Sequence, residues 1–164
     1  MLFVVMGVTG SGKSTVGRAL ADRLGVPFRD ADDFHTDANI AKMRSGTPLT
    51  DDDRLPWLRS IGEWLAAHRD SGAVATSSAL RRRYRDILRE RAPDAFFVHL
   101  DGDPRTARVR VAGRPDHFMP PSLVDSQYAA LEPLEADERG VVLDMTWHVD
   151  DQVDEAVRTS SPGR

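Results

Sequence analysis

One stretch constrains this chain more than any other: Gly7-Val8-Thr9-Gly10-Ser11-Gly12-Lys13-Ser14. It fits G-x-x-x-x-G-K-[ST], a pattern whose chemistry needs a strand entering it and a helix leaving it. Leu2-Phe3-Val4-Val5-Met6 is apolar throughout and short enough for a buried strand. Val16, Ala19, Leu20, Arg23 and Leu24 then recur at helical spacing, which predicts a helix from Ser14 to Leu24. Glycines let the backbone bend around phosphate oxygens with no Cβ in the way. Loop N–H groups and the positive end of the helix then point at the anion. Lys13 is placed to reach the β- and γ-phosphates of a nucleotide, and the Ser14 hydroxyl to ligate Mg²⁺. Gly7, Thr9, Gly10, Ser11, Gly12, Lys13, Ser14 and Thr15 are therefore the candidate ATP-binding residues. The bland alternative is a glycine-rich turn with a chance Lys-Ser; strand before and helix after argue against it.

At 164 residues the chain is expected to be one domain with a real core. Its 22 basic and 26 acidic residues give a net charge of −4, which does not suit general nucleic-acid binding. No apolar run approaches the roughly 20 residues of a membrane span. The absence of cysteine removes disulfides and thiol chemistry. No basic, apolar leader is visible at the N-terminus, so ATP chemistry without an export signal predicts a cytoplasmic protein.

Apolar runs at Leu2–Met6, Val26–Phe28, Ala73–Thr76, Ala95–Leu100 and Val141–Leu143 alternate with helical stretches. Such alternation predicts a parallel sheet covered by helices on both faces, with ligands at the C-terminal strand ends. After the second run stands Arg29-Asp30-Ala31-Asp32-Asp33-Phe34-His35. Acids at a strand end near a phosphate loop suit Mg²⁺ coordination and proton abstraction; a solvated turn or helix cap explains them equally well. Asp30 and Asp32 share a side if the strand persists. Thr36 to Arg44 reads as a helix, and Thr50 or Asp51 as the cap of the next one, whose first-turn acids need no catalytic reason. Trp57, Leu58, Ile61, Trp64 and Leu65 form a stripe that belongs to the core. The arginines at 81, 82, 83 and 85 follow the third strand; most read as a solvated helix face, with room for one to face a ligand. Arg110 and Arg114 lie one turn apart at the start of an irregular, Pro-rich stretch, so 108–121 is a candidate lid. His68, His99 and His148 are isolated, and 159–164 reads as a disordered tail.

Beyond the loop, several linked motifs resemble the gluconate kinase family over about residues 3–158. They are Asp30-Ala31-Asp32-Asp33-Phe34-His35 with Asn39 and Lys42-Met43, Gly46-Thr47-Pro48-Leu49-Thr50-Asp51-Asp52-Asp53-Arg54-Leu55-Pro56-Trp57-Leu58, Ser78-Ala79-Leu80, Tyr84-Arg85-Asp86, Arg114 to Pro120, Ser126-Gln127 and Leu131-Glu132-Pro133. Thr9 stands where the family usually has Ser, and Ser77 and Arg81 where it usually has Cys and Lys. The resemblance implies a nucleoside-monophosphate-kinase-like α/β fold with strand order 2-3-1-4-5, and commonly a homodimer. It implies ATP-dependent phosphorylation of D-gluconate at its 6-hydroxyl.

On that resemblance, Mg²⁺ is expected on Ser14 with Asp30 in its outer shell, and Asp32 takes the proton of the acceptor hydroxyl. Gluconate carries a carboxylate and many hydroxyls, so the acceptor site calls for cations and hydrogen-bonding groups. His35, Lys42, Arg54, Ser78, Arg85 and Gln127 are the candidates, with Asp32. Arg110 and Arg114 are expected to stabilise charge on the transferring phosphoryl. The alternatives are a kinase of another small acceptor, such as shikimate or a nucleoside monophosphate, and an NTP-binding switch with no small substrate.

Overall fold

Side chains of a strand point alternately to its two faces, so an unbroken apolar run requires cover on both. The computed structural model, which describes residues 1–113 and 122–161, supplies that cover. Strand β1 (Leu2–Met6) is the buried centre of a five-stranded sheet of order β2-β3-β1-β4-β5. The others are β2 (Phe28–Arg29), β3 (Ala73–Thr76), β4 (Phe96–Asp101) and β5 (Gly140–Asp144), and all neighbours pair in parallel. Leu2, Val4 and Met6 pack with Leu58, Ile61 and Leu65 of α3 (Asp51–Ala67) and Leu88 of α4 (Arg82–Arg91). Phe3 and Val5 meet the opposite layer: Val16 and Leu20 of α1 (Lys13–Leu24), Val111 of α5 (Pro104–Ala112), Val124 of α6 (Ser122–Ala130) and Val153 of α7 (Val149–Ser160). The five predicted strands, their order and the two helical layers are all present. The Trp57–Leu65 stripe lies in the core, with Trp64 packed partly buried at its edge.

Local departures have local causes. The second strand is Phe28–Arg29 rather than Val26–Phe28, because α1 ends on Gly25 in a left-handed conformation and the Val26 N–H returns to Ala21 O at 3.1 Å. Helix α2 (Asp37–Arg44) is capped by Thr36, and α3 by Thr50. Thr50 and Asp53 exchange bonds as a capping box, so these first-turn acids are structural. His148 caps α7, and His99 is buried on β4. The expected tail from 159 does not begin there: α7 runs to Ser160, which is buried, and the Thr159 and Ser160 hydroxyls donate back to carbonyls of their own helix. Among the described residues no helix is long and apolar enough to cross a membrane.

Candidate active site

The loop between β1 and α1 curls because Gly7, Gly10 and Gly12 have φ of 149°, 82° and 97°. The first two have no room for a side chain: a Cβ on Gly7 would lie 2.8 Å from Leu100 O, and one on Gly10 2.7 Å from Ala107 O. Gly12 caps α1 without a side-chain hydrogen bond, so the positive helix end stays available to an anion. Ser11 Oγ is buried with no hydrogen-bond partner among the described residues, an orphan that a phosphate oxygen would satisfy. Lys13 Nζ folds over the loop and donates to Gly7 O and Val8 O, both at 3.0 Å. The Thr9 N–H donates to Gln127 Oε1 at 2.6 Å, which brings α6 to the loop.

Below the loop lies a cleft of about 810 Å³, lined from the ends of β1, β2 and β3. That volume is near the upper end of small-molecule sites, enough for a phosphate chain and a six-carbon acid together. Ser14 Oγ donates to Asp30 Oδ2 at its edge. A hydroxyl and a carboxylate are oxygen donors of the kind a hard divalent cation takes. Among the described residues no three His, Cys, Asp or Glu form a metal cluster of their own, so a cation here would share phosphate oxygens.

Asp30 and Asp32 reach the cleft by a different route from strand alternation. The strand ends at Arg29, and Asp30 caps a 3₁₀ turn over Ala31–Phe34, accepting from Asp32 N–H at 3.1 Å. Thr76 Oγ1 and the Trp57 indole fix this turn through Ala31 N–H and Ala31 O, both at 2.9 Å. Asp32 is open to solvent yet crowded by the cleft walls. That partial desolvation, with the charges of Asp30 and Asp33, raises its pKa above the usual carboxylate value against the pull of Lys13. His35 stacks on Trp57 at 3.9 Å between ring centroids, with its side chain almost wholly covered. Burial first, and the Arg54 charge second, lower its pKa to about 4, so at neutral pH it is a hydrogen-bonding group and no cation. Its Nδ1 is buried without a partner among the described residues. A depressed histidine pKa favours the fold above the unfolded value of about 6.5 and loses that contribution as pH falls towards about 4. Stability should therefore decline across that window, and His35→Gln should flatten the decline; denaturant melts at several pH values will show an unchanged slope if His35 is not responsible.

The far end of the cleft is built from Arg54, Tyr84, Asp51 and Arg83. Tyr84 Oη donates to Asp51 Oδ1 at 2.7 Å and accepts from Arg54 Nη1 at 3.2 Å, while Arg83 pairs with Asp51. The Tyr84 bond, then the surrounding arginines, outweigh burial and hold Asp51 below the usual carboxylate pKa.

The cleft gathers Thr9, Gly10, Gly12, Lys13, Ser14, Thr15, Asp30, Asp32, His35, Arg54, Ser78 and Gln127 from the expected set. Three expectations change. Lys42 is turned to Asp53 Oδ2 at 2.7 Å, where it supports the α3 cap instead of lining the cleft. Arg85 is buried behind the cleft wall, ion-paired to Glu138, because the inward face of α4 falls on Tyr84, Arg85 and Leu88. Arg110 lies on the other side of the loop: its guanidinium donates to Gly10 O, Ser11 O and Met145 O at 3.3, 3.4 and 3.0 Å. There it lines a second cavity of about 340 Å³ with Thr15, Met145, Trp147 and Val149. Arg114 and the stretch 114–121 of the expected lid lie outside the described residues. Arg81 and Arg83 are the two of the four arginines that line the cleft. Arg18 was missed, although it sits one helical turn beyond Ser14 and shares its face.

A parallel sheet of this order, with a phosphate loop after β1 and an acid pair after β2, defines a P-loop kinase of small molecules. Residues 9–158 match the shikimate kinase family model. The thermosensitive gluconokinase of Escherichia coli K12 is 45% identical over 143 residues, 85% of this chain and 76% of that protein. The crystal structure of a gluconokinase from Sinorhizobium meliloti 1021 is 46% identical with a TM-score of 0.87, covering 96% of this chain and 90% of that one. A sugar kinase from a Janibacter species, crystallised unliganded, is 48% identical with a TM-score of 0.90, covering 96% and 92%. The chain belongs to the gluconokinase family, within the broader shikimate-kinase-like group.

Proposed function

We propose that the protein phosphorylates D-gluconate at its 6-hydroxyl, producing 6-phospho-D-gluconate and ADP from ATP. One observation carries this reading in a member of the gluconokinase family. A single cleft joins the phosphate loop, a carboxylate of raised pKa and a far end rich in guanidinium groups. Phosphoryl transfer asks for positioning and charge neutralisation more than for covalent chemistry. The loop N–H groups and Lys13 hold the β- and γ-phosphates. The second cavity, walled by Arg110 and Trp147, receives the nucleobase. Ser14 and Asp30 would hold Mg²⁺, which supplies charge neutralisation on the phosphates when bound. Asp32 accepts the proton of the attacking hydroxyl. His35 and Gln127 offer hydrogen bonds to the polyol, and Arg54 faces its carboxylate. On the family resemblance Arg114 would stabilise charge on the transferred group. The same resemblance supports a homodimer, which light scattering on the purified protein will read.

The test is ADP release with gluconate, shikimate and nucleoside monophosphates offered in turn. Gluconate-dependent release is expected; release driven by another acceptor, or by none, would overturn the assignment. Within this reading Arg54→Lys should raise the gluconate KM about tenfold, the effect of losing a forked, charge-assisted bond while keeping the charge. The KM for ATP should move much less, and equal effects on both would move Arg54 to the nucleotide side.

A further inference from the structure

Ala79 is the one non-glycine residue with positive φ, 45°, among the described residues. An L-residue held there is strained, and such strain persists only where neighbours over-determine the backbone. Here three successive carbonyls are each engaged. Ser78 O accepts from Gly7 N–H at 3.3 Å, Ala79 O from Arg85 Nη1 at 2.9 Å, and Leu80 O from Glu132 N–H at 2.6 Å. The N–H groups of Ser78, Ala79 and Leu80 have no acceptor among the described residues, and all three residues line the cleft. Turns with a left-handed residue gather successive N–H groups into concavities that take anionic oxygens.

Arg85 holds the middle carbonyl. It is wholly buried on α4. Its Nε and Nη2 donate to Glu138 at 2.7 and 3.0 Å, and Nη2 also reaches Pro133 O at 3.2 Å. Arg89 and the Glu135 N–H complete the shell of Glu138 at 2.6 and 2.7 Å. Burial alone would raise the Glu138 pKa; the bonds from Arg85, Glu135 and Arg89 reverse it and keep the group ionised. A buried ion pair gives little net stability compared with an apolar pair of the same shape. Its placement against the strained turn therefore asks for a further reason.

We propose that Arg85 is a positioning residue for the acceptor: anchored by Glu138, it pins the Ala79 turn so that the free N–H groups there receive the acceptor's carboxylate or hydroxyl oxygens. Arg85 touches no substrate itself. The proposal deepens the gluconate reading and rests on it only for the identity of the acceptor.

The experiment compares wild type, Arg85→Gln, Ala79→Gly and the double variant, varying acceptor and ATP separately. Arg85→Gln should raise the acceptor KM about tenfold, the effect of losing one hydrogen bond to a charged group, with the ATP KM within about twofold. Adding Ala79→Gly should restore most of that loss, since glycine holds a positive φ without a clamp. A merely structural arginine would show no such coupling. An unchanged acceptor KM, equal changes for acceptor and ATP, or a loss that Ala79→Gly leaves in place each overturns the proposal. Should Arg85→Gln fail to fold, Ala79→Val decides with the ion pair intact. A β-branched residue is driven out of the left-handed region, so the acceptor KM must rise, and an unchanged value overturns the proposal. The acceptor used is whichever one the wild-type protein phosphorylates, so failure with gluconate corrects the substrate and leaves this test standing. If none is phosphorylated, hydrogen exchange at the Gly7 and Glu132 amides, which donate to the carbonyls of the turn, decides. Faster exchange in the variant that folds supports the clamp; unchanged exchange overturns it.

Discussion

Lys13→Ala lowers turnover by at least about a thousandfold, the lower end of what one transition-state cation contributes in phosphoryl transfer, and leaves the fold intact. The folded state should tolerate the change because Lys13 is not part of the core: its Nζ rests on Gly7 O and Val8 O, and the loop's curvature comes from its glycines. Those same carbonyls hold the ammonium against the loop whose N–H groups would take the β- and γ-phosphates. In a loose transition state negative charge shifts onto the leaving bridging oxygen as its bond to the γ-phosphorus breaks, so the loss belongs mainly to kcat. Nucleotide affinity should fall less, because the loop N–H groups and the open N-terminus of α1 remain. Lys13→Arg should recover little, since the longer planar head cannot occupy the same point. Steady-state kinetics with circular dichroism on each variant is the measurement. Near-normal kcat in a folded Lys13→Ala protein would remove Lys13 from the chemistry.

The sheet was legible in the sequence because β1 is apolar at every position, and only a strand buried on both faces asks for that. The loop was legible because its glycines answer a local demand, positive φ and close backbone approach, that no other residue meets. The cleft wall was harder. Arg85 and Arg83 lie in one run of arginines, yet one is buried against Glu138 and the other lines the cleft beside Asp51. The difference comes from the phase of α4 and from a partner 53 residues away in the chain, neither of which residue type reveals. Lys42 misled for the same reason: its partner Asp53 sits on the next helix and competes with any ligand for it. His35 was placed correctly in the cleft, but its neutrality depends on burial against Trp57 and on Arg54, both contributed by α3.

Asp32→Asn separates catalysis from stability in opposite directions. An amide holds the acceptor hydroxyl but takes no proton from it, so kcat should fall by about 10²–10⁴, the usual span for one general base. A loose transition state transfers the proton late, which favours the low end of that range. Mg-ATP binding should stay nearly intact, because Ser14 and Asp30 are untouched; Asp30→Asn should instead show its main defect in Mg²⁺ dependence. The raised pKa adds a second signature. Desolvation, with Asp30 and Asp33 nearby, disfavours the ionised form that the reaction needs, so the acid limb of the wild-type rate should be displaced upward from that of a free aspartate and vanish in the variant. The stability sign follows from the same shift. A carboxyl whose folded pKa is raised supports the fold while protonated, below its unfolded value of about 3.9, and loses that support as pH climbs through the folded value. At neutral pH the charged Asp32 therefore opposes folding, and Asp32→Asn should unfold at a denaturant concentration equal to or higher than wild type. The decisive set is kcat against pH, ATP binding by calorimetry, rate against Mg²⁺ and urea melts at pH 7. Rescue of Asp32→Asn by high Mg²⁺, with Asp30→Asn left unrescued, would reverse the two roles. A lower urea midpoint would show that Asp32 is held in the cleft for structure instead of for its proton.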